Sequence, residues 1–450
     1  MVVKPGAAPD PRPRRAVLQA AAAGLAAPLL GGCAPRERKQ LRFWAMGREG
    51  EVAAELVEGF ERENPGLRVK VETLPWTSAH EKLLTAFAGD ATPDLAQMGN
   101  TWLPEMQALG ALEPLAPWLA QPDAPPAEDY FPGIWATNAP EGARVGLPWY
   151  VDTRLLFVRH DLLQRAGIAQ PPRDWAQWRE ALARLRRAGM ATPLLLPTNE
   201  FEPLLALALQ QDGELLRDGG RYGHFTGPGF QRALGFYLER FARAEAPGLS
   251  NNQIANVWQE FGRGSFAFYI SGPWNIGEFK RRLGAELAQA WSTAELPGPQ
   301  GPGASIAGGA SLVMFRRSRL KPECWALMRY LSRPEVQQRF YALTGDLPSR
   351  RSSWTLARAG EPPLRQDRHA AAFYRQLERA RAAPAVPEWE RIVQEMQLAA
   401  ARGAHAVDPA RGGEAAVAAT ARQLGAELDR RVDAILEKRR WMLAQRGGAA

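Results

Sequence analysis

Between residues 41 and 115 the sequence alternates between strand-like and helix-like segments. The stretch EVAAELVEGFEREN (51–64) places apolar residues at helical spacing and is stopped by Pro65-Gly66. Strand-like segments flank it, LRFWAM (41–46) and LRVKVETLPW (67–76), and a third, PDLAQMG (93–99), follows a short helix. Because strands that alternate with helices pair mostly in parallel, this order predicts an α/β fold with a mainly parallel sheet.

The chain is too long for a single core of that kind. It has 450 residues, and single hydrophobic cores stop growing at roughly 250–300 residues, so two lobes are expected. Beyond residue 170 we predict helices, strands and one Pro- and Gly-rich connector. The helices are 174–189, 201–217, 228–245 and most of the chain after 323; the strands lie within 264–279 and 310–318; the connector is 291–303.

The N-terminus has the layout of a bacterial export signal. A pair, Arg14-Arg15, precedes a mildly apolar run and then the sequence LGGC, which resembles a lipoprotein cleavage box ending at Cys33. We therefore predict a signal peptide over 1–32, by the twin-arginine or the general secretory route, and a polar tether over 33–40. A lipid on Cys33 would anchor the protein to a membrane, facing the periplasm or the cell exterior. The alternative is an ordinary cleaved signal with an incidental cysteine.

Composition argues against several kinds of site. Once Cys33 is used, Cys324 is the one cysteine left, so neither an internal disulfide nor a metal-ligand spacing is available, and no metal or cofactor is predicted. The net charge of +8 comes from scattered basic residues rather than a basic stripe interleaved with aromatic residues, which argues against nucleic acid. The 15 tryptophans against 8 tyrosines point to a ligand instead, because large flat apolar rings stack on sugars and bases.

One stretch in the middle of the chain combines aromatic and charged residues where a buried strand begins. In GLPWYVDTRLLFVRHDLL (146–163), Trp149 and Tyr150 stand beside Asp152 and Arg154, and the apolar run LLFV follows at once. A buried strand has no need of charges at its entrance. Ligand sites of open α/β sheets lie at the carboxyl ends of strands, so these side chains are expected to face a ligand.

Several segments together resemble the bacterial extracellular solute-binding proteins, family 1, the maltose-binding-like proteins that feed carbohydrates to ABC importers. In chain order they are FERENPGLRVKVETLPW, KLLTAFAGDATPDLAQMGNTWLPEMQALGALEPL, GLPWYVDTRLLFVRHDLLQRAG, FGRGSFAFYISGPWNI, AGGASLVMF and GDLPSRRSSW. The resemblance implies an α/β, type II periplasmic-binding-protein-like fold of two lobes, each a mixed sheet flanked by helices, with the ligand cleft between them. The expected lobes are 41–151 plus 292–335 and 152–291 plus 336–450.

The resemblance also implies ligand-binding residues. Tyr150 and Asp152 match the family's hinge motif, and Trp274 in GPWN stands where the family has a stacking aromatic residue. The family often has an acid near Gly99, which this chain lacks. Arg350 matches a family arginine that reaches the sugar, although Arg351 is equally well placed. The full set expected to bind ligand is Trp44, Glu49, Trp76, Asn100, Trp102, Tyr150, Asp152, Trp274, Gly308, Gly309 and Arg350.

Each of these residues also has an ordinary structural role open to it. Asp152 could form a salt bridge to Arg154, Trp274 could belong to the core, Gly308 and Gly309 could form a turn, and Glu49 could be a helix N-terminal acid. The five histidines, His80 among them, are isolated in the sequence and are assigned ordinary surface or core positions.

The expected function is that of a monomeric, non-enzymatic binding protein. It would capture a mono- or oligosaccharide by hinge closure and deliver it to the membrane permease of an ABC importer. A glycoside hydrolase would need two carboxyl groups opposed across one bond, and Asp152 has no second acid beside it. The same fold could instead take a glycerol phosphate, which requires several basic groups, a polyamine, which requires several acids, or a peptide.

Overall fold

The computed structural model describes residues 38–254, 256–357, 360, 362–407 and 413–441. The predicted signal peptide, Cys33 and most of the tether lie outside these residues. The strands are β1 (Lys39–Met46), β2 (Leu67–Leu74), β3 (Leu95–Gly99), β4 (Gly146–Asp152), β5 (Leu155–Arg159), β6 (Leu194–Leu195), β7 (Leu216–Arg217), β8 (Tyr222–Gly223), β9 (Phe268–Ser271), β10 (Trp291–Ala294), β11 (Ser305–Ile306), β12 (Gly308–Met314), β13 (Leu347–Pro348) and β14 (Ala380–Arg381).

Helices cover most of the rest of the described chain. They are α1 (Gly47–Glu63), α2 (Trp76–Ala88), α3 (Leu103–Ala108), α4 (Ala116–Leu119), α5 (Pro132–Thr137), α6 (His160–Arg165), α7 (Trp175–Arg187), α8 (Glu202–Leu209), α9 (Pro228–Ala242), α10 (Val257–Arg263), α11 (Trp274–Arg282), α12 (Lys321–Leu331), α13 (Pro334–Thr344), α14 (Arg351–Thr355), α15 (Ala371–Leu377), α16 (Trp389–Ala406) and α17 (Glu414–Ile435). Short 3₁₀ turns stand between several of them, and one of these, Asn100–Trp102, directly follows β3.

Two sheets organise these elements. The first has six strands in the order β13-β4-β12-β3-β1-β2, and the second has four in the order β10-β5-β9-β6. In the first sheet β1 pairs in parallel with β2 and β3, whereas β12 runs antiparallel to both β3 and β4. The expectation of mainly parallel pairing was therefore wrong beyond the first three strands. The later strands return to the sheet from the opposite direction, and both sheets are mixed.

Both faces of each sheet are covered by helices. On the six-stranded sheet, one face carries the apolar side of α1, with Val52, Leu56 and Phe60 buried at helical spacing, beside α12 and α13. The opposite face carries α2 and α3. On the four-stranded sheet, alternate residues of β5 contribute to two different apolar clusters, one packed against α7 to α9, α16 and α17 and the other against α11 and α15. Each sheet with its helices is called a lobe below, the first lobe being the six-stranded one.

The chain crosses between the sheets at the motif singled out in the sequence. β4 ends at Asp152 in the first sheet, and β5 begins at Leu155 in the second. A second crossing passes through Ser305, whose hydroxyl donates to the backbone oxygen of Arg154 at 2.7 Å and accepts from its backbone N–H at 3.2 Å. The two crossings are therefore hydrogen-bonded to each other beneath the cleft.

Three segments differ from their predicted structure or sheet. The expected connector 291–303 begins with β10, which pairs antiparallel with β5, so a strand was missed there. The helix expected over 201–217 ends at Leu209 and is followed by the short strand β7. The predicted lobe division places residues 292–294 in the first lobe, but they belong to β10 of the second sheet. It places residues 347–348 in the second lobe, but they form β13 of the first sheet. The division itself stays a prediction.

Candidate functional site

A cleft of about 560 Å³ lies between the two sheets. One wall comes from the first lobe, at the carboxyl ends of β1 to β4 and the start of β12. The other wall comes from the second lobe, at the start of α8 and α11. Nine of the eleven residues expected to bind ligand line this cleft: Glu49, Trp76, Asn100, Trp102, Tyr150, Asp152, Trp274, Gly308 and Gly309.

Trp44 and Arg350 are the two exceptions. Trp44 points to the α2 side of β1, is almost fully buried in an apolar cluster, and has the Lys82 ammonium 4.9 Å from its ring centre. Arg350 donates through Nε to Asp129 at 2.6 Å and through NH1 to the Ser332 carbonyl oxygen at 2.9 Å. Both expectations are corrected, because Trp44 is a core residue and Arg350 is held in an internal ion pair. Arg351, its rival, contacts Glu378 rather than the cleft.

Glu49 and Tyr150 form the buried floor of the cleft. The Tyr150 hydroxyl donates to Glu49 Oε1 at 2.7 Å and accepts from Gln97 Nε2 at 3.1 Å. Gln97 Oε1 in turn accepts the backbone N–H of Met46 at 2.7 Å, which fixes the direction of the chain of hydrogen bonds. Burial raises the pKa of Glu49 and raises that of Tyr150 well above its ordinary value, so the phenol stays a donor. Glu49 is therefore oriented by the fold and keeps one carboxylate oxygen clear of the tyrosine.

Asp152 both lines the cleft and forms the salt bridge that was its alternative role. Arg154 donates through NH1 to Asp152 Oδ1 and through NH2 to Glu202 Oε1, the latter at 2.7 Å. Burial raises the pKa of Asp152, and the adjacent guanidinium opposes that shift. The Arg154 guanidinium thus joins an acid at the end of β4 to an acid at the start of α8, across the join between the lobes.

Trp274 presents its ring to the cleft from the second lobe. It is 36% exposed, unlike the core tryptophans, and the Arg154 guanidinium lies 4.7 Å from its ring centre. The ring folds back over Gly272, where a Cβ would come within 1.9 Å of it. The core alternative for Trp274 is therefore wrong. Its ring is held between a cation and a glycine that leaves room for it.

The opposite wall carries a second aromatic group and an amide. Trp76 and Trp102 meet edge to face, with ring centres 5.5 Å apart. Asn100 is nearly fully buried, and its Oδ1 accepts from the Ser311 hydroxyl at 2.7 Å. Its Nδ2 finds no hydrogen-bond partner among the residues that the structure describes. A buried donor without a partner is costly, and this makes the Asn100 amide a candidate for a hydrogen bond to a ligand.

The two glycines of AGGAS are required by the neighbouring strand. A Cβ on Gly308 would lie 2.7 Å from the carbonyl oxygen of Asp152, and one on Gly309 would lie 2.3 Å from that of Tyr150. Gly309 also has φ of +116°, which other residues rarely adopt. The pair lines the cleft, and its absence of side chains is what allows β12 to approach the end of β4.

Sequence reasoning missed Asp346, which also lines the cleft. It lies just before the two-residue strand β13, is 8% exposed, and has its backbone N–H bonded to Thr344 Oγ1 at 3.0 Å. Burial, together with the charges of Glu49 and Asp152, raises its pKa well above the ordinary value. The signal available in the sequence is the acid that stands second in GDLPSRRSSW, the motif whose arginines are discussed above. Arg48, Glu202 and Glu390 line the cleft as well.

Within the described ranges, the His, Cys, Asp and Glu side chains form no group of three that could hold a metal ion. None of the helices described here combines the length and apolar character needed to cross a membrane.

Comparison with solved structures supports the two-lobe, type II periplasmic-binding fold. The sugar-binding protein MalE of the phytopathogen Xanthomonas citri is 51% identical, with a TM-score of 0.82, covering 90% of this chain and 100% of that one. An ABC transporter solute-binding protein of Thermotoga lettingae bound to α-D-tagatose is 23% identical, with a TM-score of 0.72 over 88% of this chain and all of its own. The fold class predicted from the sequence is confirmed.

Sequence comparison gives the same assignment. The diacetylchitobiose binding protein DasA of Streptomyces coelicolor is 23% identical over 285 residues, which is 62% of this chain and 66% of that protein. Residues 46–338 match the model of one protein family, and they carry both crossings and all nine of the expected residues that line the cleft. With this match and the geometry of the cleft, the chain belongs to the bacterial extracellular solute-binding proteins.

Proposed function

We propose that this protein is the extracytoplasmic substrate-binding component of an ABC importer and that its substrate is a mono- or oligosaccharide. The observation that carries the proposal is the lining of the cleft, where aromatic rings on both walls flank oriented carboxylates and an unpartnered amide. A pyranose has apolar C–H faces, which suit aromatic rings, and a rim of hydroxyl groups, which suit charged and amide hydrogen-bonding groups.

The relatives support a carbohydrate as cargo. The Xanthomonas citri protein, at 51% identity, is described as sugar-binding, and the Streptomyces coelicolor relative is described as binding diacetylchitobiose. Capture would follow from lobe closure, because a sugar lying between Tyr150 in the first lobe and Trp274 in the second touches both only when the lobes approach. The closed, loaded form is what a permease would recognise.

We infer binding without chemistry. Glu49, Asp152 and Asp346 lie together at the floor of the cleft, where Glu49 is engaged by the Tyr150 hydroxyl and Asp152 by the Arg154 guanidinium. A retaining or inverting hydrolase needs one acid to protonate the leaving group and a second to act across the same bond. Incubation with the bound sugar should therefore release no new reducing ends, and their release would refute this inference.

A polyamine is the second candidate cargo, and one observation favours it. Among the described residues that line the cleft, five are acids and two are arginines, an excess of three carboxylates. A polyamine would gain from that excess, but Arg154 lies centrally among the acids and would repel it. Neutral sugar fits this mixture better, since hydroxyl groups can donate to the acids and accept from the arginine.

The test is a binding panel. The melting temperature of the purified mature protein would be recorded with each of six compounds in turn: maltose, trehalose, cellobiose, glucose, spermidine and putrescine. A compound that binds the folded form alone raises that temperature, by an amount that grows with its concentration over Kd. We expect at least one neutral sugar to do so, and calorimetric titration would then give its Kd. A response to the amines alone would replace the carbohydrate proposal with the polyamine one.

We further propose that the protein is exported and acts as a monomer beside its permease, held to a membrane by lipid on Cys33. The sequence LGGC supports the lipid anchor, and β1 begins at Lys39, so the fold starts within a few residues of the proposed attachment site. The two lobes would be those predicted from the sequence, with the strand exchanges described above.

A further inference from the structure

Asp346 is a carboxylate without a cationic partner at the floor of the cleft. It precedes β13, which pairs antiparallel with β4, with Leu347 opposite Val151. Continuing that register by one residue places Asp346 opposite Asp152. The side chain is more than nine-tenths buried, and no Lys, Arg or His in the described chain forms a salt bridge with it.

The basic groups of the cleft are already used by the protein. Arg154 holds both Asp152 and Glu202. Arg48, the other arginine of the lining, pairs with Glu51 on the surface, and its side chain is 60% exposed. A carboxylate or phosphate entering the cleft would therefore meet no unengaged guanidinium at the floor, where Glu49, Asp152 and Asp346 lie.

We propose that Asp346, acting with Glu49 and Asp152, determines specificity by restricting the cleft to neutral and cationic sugars and excluding sugars that carry a carboxylate or phosphate. This inference rests on the proposed function and narrows its substrate class. An amino sugar would gain a charge-assisted hydrogen bond from Asp346, a neutral sugar would donate a hydroxyl hydrogen to it, and an acidic sugar would be repelled.

Within the described part of the chain, Asp346 forms no ion pair that would stabilise the ligand-free protein. Burial and the charges of Glu49 and Asp152 raise the pKa of Asp346, so ionising this carboxyl group in the ligand-free protein costs free energy. A ligand that brings a cation or hydroxyl donors favours the ionised form, and a ligand that brings another negative charge opposes it. Thr344 gives the side chain a hydrogen bond that opposes the shift, but no cation among the described residues offsets the rest of the cost. A residue kept for a ligand leaves the site strained until the ligand supplies donors.

Charge-matched probes test the proposal. Maltose and trehalose are the neutral probes, maltose 1-phosphate and trehalose 6-phosphate their anionic counterparts, and the disaccharide of glucosamine the cationic one. Calorimetric titration would compare wild type with Asp346→Asn. Glu128→Gln, which removes one charge from an exposed position outside the cleft, serves as the control. Melting temperatures would be measured on all three ligand-free proteins at pH 7.5.

Wild type is expected to bind whichever neutral sugar it accepts about a hundredfold more tightly than that sugar's phosphate, since like charges in a binding site cost several kcal/mol. In Asp346→Asn the ratio of the affinity for the neutral sugar to that for its phosphate should be about tenfold smaller. Binding of the glucosamine disaccharide should weaken, and the melting temperature of the ligand-free protein should rise. The control should change none of these.

Three results would overturn the inference. Wild type could bind a sugar and its phosphate with equal affinity, the ratio of these two affinities could be the same in Asp346→Asn as in wild type, or the variant could have a lower melting temperature. The third would make Asp346 a structural residue. Failure of the proposed function looks different, because then no sugar of any charge would bind to wild type, and this inference would fall with it.

Discussion

Removing the ring of Trp274 is the sharpest test of how the cleft holds a sugar. The ring is 36% exposed and lines the cleft, so Trp274→Ala takes away a stacking surface without opening a core. Stacking on an aromatic side chain is worth roughly 1–3 kcal/mol, by analogy with nucleic-acid bases. Since 1.4 kcal/mol is tenfold in affinity, Kd should rise by roughly ten- to a hundredfold.

Stability should change far less than affinity. Within the protein the ring is packed against Arg154, a cation–π contact worth about 0.5–1 kcal/mol at such a site. The melting temperature of the ligand-free variant should therefore fall by only a few degrees. Titration calorimetry with the tightest-binding sugar of the panel, alongside a melting curve without sugar, measures the two effects separately.

Two further variants make the test specific. In Gly272→Ala the new Cβ would lie 1.9 Å from the Trp274 ring, so the ring must move although it is still present, and affinity should fall as in the alanine variant. Trp441→Ala removes a tryptophan that is 64% exposed and outside the cleft lining, so affinity should not change. Normal affinity in Trp274→Ala, with a much lower melting temperature, would show that the ring supports the fold and does not bind sugar.

Four other outcomes are expected. Gly309→Ala should lower the free energy of unfolding by more than about 2 kcal/mol, since φ is +116° and the Cβ would lie 2.3 Å from the Tyr150 carbonyl oxygen. Urea titration measures this change, and the control is Gly235→Ala, whose Cβ would meet nothing within 4 Å. Burial lowers the pKa of His369 from 6.5 to about 4, so the stability that the neutral imidazole contributes is present above pH 6.5 and is lost as the pH falls towards 4. The melting temperature of His369→Gln should therefore fall less steeply over this pH range than that of wild type, and an equally steep fall would contradict this. Cys33→Ser should leave the protein unanchored in detergent partitioning, and retention of labelled lipid by this variant would disprove the anchor. Saturating sugar should reduce the radius of gyration in small-angle scattering, and an unchanged radius would mean that the lobes do not close.

The residues that the sequence placed correctly in the cleft stand at recognisable junctions. Tyr150 and Asp152 end a strand, Trp76 follows another, and Trp274 follows a Gly-Pro turn after a third. Carboxyl ends of strands meet at one edge of a sheet, so residues that are distant in sequence can be assigned to one site. The same reasoning gave the first three strands and their parallel pairing, because period-2 and period-3.6 patterns are local properties.

The predictions that were wrong concern which residue or strand a given residue or strand contacts, and a local sequence pattern carries no information about such contacts. Trp44 was expected in the cleft, but alternation along β1 sends it to the α2 side of the sheet. Arg350 and Arg351 are adjacent, but their partners, Asp129 and Glu378, lie 221 and 27 residues away from them in sequence. β10 was missed because four residues, WSTA, before a run of proline and glycine give too short a pattern. His80 is isolated in the sequence, but in the fold its Nε2–H donates to Glu105 Oε2 at 2.7 Å, and this hydrogen bond raises the pKa of His80.

The position of β12 in the first sheet has a consequence for how the protein is made. β12 separates β3 from β4, so a nascent chain that has not yet reached residue 308 lacks the strand that joins them. Pairing β3 with β12 closes a loop of roughly two hundred residues, and such high contact order slows folding. The emerging polypeptide therefore lacks its central strand until about two-thirds of it has been synthesised. On the general secretory route, one of the two predicted from the sequence, a translocase that needs an unfolded substrate would have this interval in which to engage the chain.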